Sequence, residues 1–291
     1  MKQENFMKKI ITFAILVLTS LIFIPFVSAQ TSTGSRGQSI NGSTGLFSIP
    51  SGRIGWEGPG DFALDLGYRA VINNDAGVAH IPAFTMSLLK WVELSMAFDI
   101  QPEQKYYQNY YQDKENNDLL LGLKVRLPTT GKTSIAIGTN LQLINFDNDE
   151  HDYNAYQPYI AITYPGTFFT MPAETTIVFG KTLYSGDNNS NIDFGIGFDL
   201  ILFPDVFKNT VHWIIDFSNF AYSDHAWPNY RLEPSTETLW RGILNTGFRI
   251  DLSTIPALSK FKFLLDLIFN DLFDDGSRSF TIGAVFGFEA S

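Results

Sequence analysis

From residue 61 onward, apolar and polar residues trade places at alternate positions in one short segment after another. The clearest is Ile192–Phe203. Ile192, Phe194, Ile196, Phe198, Leu200 and Leu202 share one face there, and Asp193, Gly195, Gly197 and Asp199 share the other. Side chains of an extended chain alternate with period two, so the pattern predicts a strand with one apolar and one wet face. The apolar face is bulky throughout, while the opposite face is glycine and carboxylate. That contrast suits a strand with lipid outside and a polar lumen inside.

The same reading gives twelve candidate strands: 61–70, 79–89, 92–101, 118–127, 133–145, 155–164, 174–184, 192–203, 210–219, 237–251, 260–270 and 278–288. The outward face of 174–184 stays ambiguous between Ile177/Phe179 and Val178/Gly180. An even count with both ends in the periplasm is the signature of a transmembrane antiparallel β-barrel, with longer links outside and short turns inside. Links 102–117, 146–154, 185–191, 220–236 and 270–277 then fall outside. The turns at Lys90, Thr129–Lys132, Pro204–Asn209 and Ser253–Ser259 fall inside, and Pro165–Ala173 is the one inner link of unusual length. The last strand alternates Phe280, Ile282, Ala284, Phe286 and Phe288, an ending suited to barrel-insertion machinery. A soluble β-sandwich also alternates. It does not account for so many outward aromatics.

Composition favours the barrel. Aromatic residues make up 15% of the chain, with 26 Phe, and charged residues only 17%, against about 25% in soluble domains. Lys2, Lys8 and Lys9 followed by the apolar run Ile10–Ile24 and the small-residue site Val27-Ser28-Ala29 read as a signal peptide over residues 1–29; an uncleaved anchor helix is the alternative. Removing that segment, which carries a net +2, takes the formal charge from −10 to −12. The absence of cysteine excludes disulfides, thiolate metal sites and an N-terminal cysteine lipid anchor. The expected location is the outer membrane, with its lipid as a partner. An acidic chain is a poor match for nucleic acid, and no cofactor motif stands out.

Residues 30–60 form a Gly/Ser-rich leader before the barrel, 61–291. Within it lies Gly42-Ser43-Thr44-Gly45-Leu46-Phe47-Ser48-Ile49-Pro50-Ser51-Gly52-Arg53, in which Gly42, Gly45, Leu46, Pro50 and Arg53 carry a motif. The stretch resembles the opening of YjbH-like outer-membrane proteins associated with exopolysaccharide. Ser51 and Gly52 stand where that family favours Thr and Ala. The resemblance implies an accessory role in surface polysaccharide export or envelope assembly, with polysaccharide or envelope proteins as partners. Without it, the leader is a flexible segment that tucks into the lumen or lies in the periplasm.

The lumen-facing candidates are Asp65, Arg69, Glu93, Asp99, Lys124, Arg126, Asp193, Asp199, His212, Asp216, Arg241, Arg249, Lys262 and Asp266. Their charges nearly cancel, as cross-strand ion pairs would; a selectivity ring carries one sign. A small diffusion channel is therefore the alternative function. A hydrolase is a third, because His212, Asp216 and Ser218 share a face. Residues four apart on a strand lie about 13 Å from one another, too far for His212 to bond Asp216. The expectation is a protein without catalytic residues. The acidic outer loops are the one place a divalent cation suits, against the plainer reading of a solvated face.

Overall fold

A computed structural model describes residues 34–56, 61–73, 77–100, 116–129, 131–146, 153–184, 192–219, 242–273 and 278–290. The expected signal peptide lies outside these residues, as do Arg241 and at least half of each long outer link.

Among the described residues, twelve antiparallel strands close on themselves. They are β1 (Phe62–Asn73), β2 (Gly77–Leu88), β3 (Val92–Ile100), β4 (Asn116–Leu127), β5 (Ser134–Phe146) and β6 (Tyr153–Phe168). β7 (Met171–Gly180) resumes at Leu183–Tyr184 along the same edge of β6. After it come β8 (Asp193–Ile201), β9 (Val211–Ser218), β10 (Ile243–Asp251), β11 (Lys262–Asn270) and β12 (Ser279–Ala290). Each strand pairs with its sequence neighbours, and β12 returns to β1 with Phe62 opposite Ala290 and Ile72 opposite Phe280. Closure leaves no unpaired edge, which is the condition for strands to sit in hydrocarbon.

Burial alternates with the sequence pattern. On β12 Phe280, Ile282, Ala284, Phe286 and Phe288 turn outward, while Ser279, Thr281, Gly283, Val285 and Gly287 turn inward. Leu66, Phe98, Ile137, Phe248 and Phe269 are also exposed on the outside. A closed barrel wearing an apolar exterior over a lumen of buried polar side chains is a transmembrane barrel. The protein is an outer-membrane β-barrel.

One sequence expectation needs revision, and one alternative left open is resolved. The 165–173 link is almost entirely strand, because the β6–β7 ladder continues past Pro165 to Phe168 opposite Met171. Only Phe169 and Thr170 make the turn, with Phe169 at φ 54. A proline removes one donor without ending a ladder whose flanking pairs persist. On β7, Val178 is the inward residue and Phe179 lies outside, its ring 5.5 Å from that of Phe194.

The lumen is layered rather than uniformly polar. By position along their strands, Asp65, Glu93, Lys124, Glu174, Asp199, His212, Arg249 and Lys262 lie toward the end that carries the short turns. Val71, Ile81, Leu120, Ile243 and Ile268 lie deeper and belong to one buried apolar cluster. Asp99, Asp118, Gln142, Asp193 and Asn270 line the far end.

Candidate functional site: a plugged lumen

Residues 34–56 occupy the lumen, and all but Arg36 and Trp56 are buried. The segment doubles on itself through the bridges Gln38–Thr44 and Gly45–Pro50. Gly42 holds φ +83, a conformation costly for residues with a Cβ. A Cβ on Gly45 would run into the carbonyl of Ile49 and the ring of Pro50. The glycine content that rules out a helix here is what permits this tight fold.

Charged wall groups meet the plug largely at its main chain. Glu93 accepts the Thr44 N–H at 2.8 Å, the Thr44 hydroxyl at 2.6 Å and the Gly55 N–H at 3.0 Å. Asp216 accepts the Phe47 and Ser48 N–H groups at 2.7 and 2.9 Å, with the Ser48 hydroxyl at 2.8 Å. Asp199 accepts the Ser35 N–H at 2.8 Å. Cations complete the pattern from the other side. Lys124 Nζ donates to the Thr44 carbonyl at 2.9 Å, Lys262 to that of Gly55 at 2.5 Å, Arg249 to that of Gly45 at 3.1 Å, and Arg69 to that of Gln38. Thr85 donates to the Gly42 carbonyl, and Thr163 accepts the Gly52 N–H at 2.9 Å. Charge-assisted bonds of this kind are roughly twice as strong as neutral ones.

The same groups pair among themselves. Lys124 lies 2.9 Å from Glu93 across β3 and β4, and Arg249 lies 2.6 Å from Asp266 across β10 and β11. Two pairs span a whole strand. Lys262 reaches Asp65 at 2.5 Å over Gly287, and Arg69 reaches Asp266 at 3.7 Å over Gly283. A side chain at Gly287 would strike Asp65. These glycines let charges meet across β12.

The remaining candidates are placed as follows. Asp99 faces Asp118 in the β3–β4 register, both buried. Asp193 accepts from Thr182 at 2.5 Å and from Gln157 at 2.8 Å. Arg126 is half-buried near the end of β4. His212 uses Nδ1 on Asp199 at 2.5 Å and Nε2 on the Asn209 carbonyl at 3.0 Å, while Ser218 bonds Ser48 at 3.0 Å. His212 and Ser218 are therefore engaged separately. Among the described residues no group of three or more His, Cys, Asp or Glu is arranged to hold a metal.

The motif residues sit at the centre of this contact. Gly42, Gly45 and Pro50 shape the fold, and Leu46 reaches into the apolar cluster beside Phe47, Ile40 and Ile49. Arg53 pairs with Glu174 at 2.7 Å. Glu174 escaped the sequence reading because the face assignment of β7 was open. Thr85 and Thr163 escaped it because nothing in a strand pattern tells a threonine that seats a plug from one that merely faces inward.

No protein-family model matches the chain, and no curated protein matches it either. Among solved structures it is similar to the KdgM porin, at 9% identity, covering 78% of this chain and 99% of that one with a TM-score of 0.45. It is similar to LpxR from Salmonella typhimurium at 11% identity, 78% and 100% coverage and a TM-score of 0.43. An outer-membrane channel from Pseudomonas putida F1 follows at 11% identity, 80% and 96% coverage and 0.42. Likeness this distant leaves the job of this chain to its own residues.

Proposed function

We propose that the protein is an outer-membrane channel for small solutes, held closed by its own residues 34–56. The occupied lumen carries this reading. Among the described residues, a segment bonded to β1, β2, β3, β4, β6, β7, β8, β9, β10 and β11 spans the lumen at that depth. Passage through such a barrel requires the plug to shift or leave. Outer-membrane lipid contacts the exposed face on this reading, and insertion machinery engages the aromatic last strand.

In planar bilayers the full chain is expected to show little steady ionic conductance, and a chain lacking residues 34–56 a large one. A large steady current from the intact protein, or a folded deletion variant that stays closed, overturns the gate.

The Gly42–Arg53 resemblance supports a second reading, an accessory role in surface polysaccharide. Of its motif residues, Gly42, Gly45 and Arg53 bond directly to the wall. Reduced surface polysaccharide in a deletion strain, with the purified deletion variant still non-conducting, favours that role over the channel. Neither reading assigns a catalytic step.

A further inference from the structure

We propose that the lumen is a peptide-binding site, and that the solutes it admits are glycine-containing peptides that fold back on themselves and lack acidic side chains. The inference rests on the reading of residues 34–56 as a plug that can leave, since the plug itself shows what the wall is built to hold.

The wall grips main chain. Lys124, Lys262, Arg249 and Arg69 each donate to a plug carbonyl, Glu93 and Asp216 each accept two plug N–H groups and Asp199 one, and each of the three carboxylates accepts one plug hydroxyl besides. Both polarities line one cavity, which is the complement of a peptide backbone. A saccharide presents hydroxyls and no such fixed alternation of donor and acceptor. The plug contains Arg36 and Arg53 and no Asp or Glu, and Arg53 finds Glu174 waiting. The wall cations are already committed to carboxylates, to Glu93, Asp65 and Asp266. An acidic side chain would therefore compete with buried carboxylates for the same cations.

The deeper layer selects a second feature. Phe47, Leu46, Ile40 and Ile49 pack against Ile81, Leu120, Val178, Ile214 and Ile268. With the plug gone, that belt faces an empty lumen and favours a ligand carrying apolar side chains. Backbone contacts give affinity, and pockets for side chains give preference, as in other peptide-recognition modes.

The test uses the full chain and a fluorescently labelled synthetic peptide with the sequence of residues 34–56. Gly45→Val unseats the resident plug by crowding Ile49 and Pro50 while leaving every wall residue in place. Arg53→Met, which removes the ion pair with Glu174, serves if Gly45→Val does not fold. A resident plug lowers apparent affinity by the fraction of empty lumens, so the folded variant should bind the peptide about tenfold or more tightly than wild type by anisotropy. A peptide that keeps the glycines corresponding to Gly42 and Gly45 and scrambles the remaining residues should compete, and a maltooligosaccharide should not. Failure of the peptide to bind a folded variant, failure of the scrambled peptide to compete, or equal competition by the sugar overturns the proposal. Binding is read without current. A channel that conducts but binds no peptide therefore refutes this inference alone, and a lumen that binds peptide but never conducts refutes the gate alone.

Discussion

Glu93 shows how a single residue links wall and plug. Its carboxylate holds two plug N–H groups and one hydroxyl while lying against Lys124, and both side chains are buried. Removing one member of a buried pair leaves the other uncompensated, at about 3–5 kcal/mol. Glu93→Ala is expected to lose stability on that scale in reversible urea unfolding from liposomes. The double variant Glu93→Ala/Lys124→Met is expected to recover part of it, since an apolar pair avoids stranding a charge. A single variant no worse than an exposed turn substitution such as Asp205→Ala would contradict the anchor.

At the scale of an element, β8 carries both environments within nine residues. Asp193 and Asp199 face the lumen, and Ile196 and Phe198 face out. Ile196 sits near the middle of the strand, paired with Phe217 and Ile177. Phe198 lies nearer the short-turn end, its ring 5.6 Å from that of Phe168. The cost of a lipid-facing cation falls from about 2–4 kcal/mol at midplane to about 0–1 near the interface. Ile196→Arg should therefore destabilise the folded barrel more than Phe198→Arg, by the same liposome unfolding. Equal penalties would remove the depth assignment.

For the molecule as a whole, the ladder places the turn at Leu89–Trp91 at the same end as the start of β1 and the end of β12. Barrels of this class keep that end in the periplasm. Because the chain has no cysteine, single substitutions report cleanly. Arg278→Cys, next to the opposite end of β12, should react with an impermeant thiol reagent on intact cells, and Lys90→Cys should not. Labelling of Lys90→Cys with silence at Arg278→Cys would invert the topology.

Period-two alternation with bulky residues on one face already determines the barrel, its strand number and, except on β7, its inside–outside sense. Ile192–Phe203 alone places Asp193 and Asp199 in the lumen. The reason is local: a strand puts alternate residues on opposite faces, and lipid and lumen demand opposite chemistry. Pro165 misled because a missing donor is local too, whereas the ladder that carried β6 past it was set by β7. The destination of residues 34–56 was not legible in the same way. A glycine-rich segment with two arginines fits a loose leader or a plug equally well. What decides between them is the wall that Glu93, Lys124, Asp216 and Arg249 form only once strands distant in sequence are brought together. Likewise the pairs Lys262–Asp65 and Arg69–Asp266 need Gly287 and Gly283 from an intervening strand. Charge complementarity across a closed lumen is a property of three-dimensional neighbours, so only the tertiary structure could assign it.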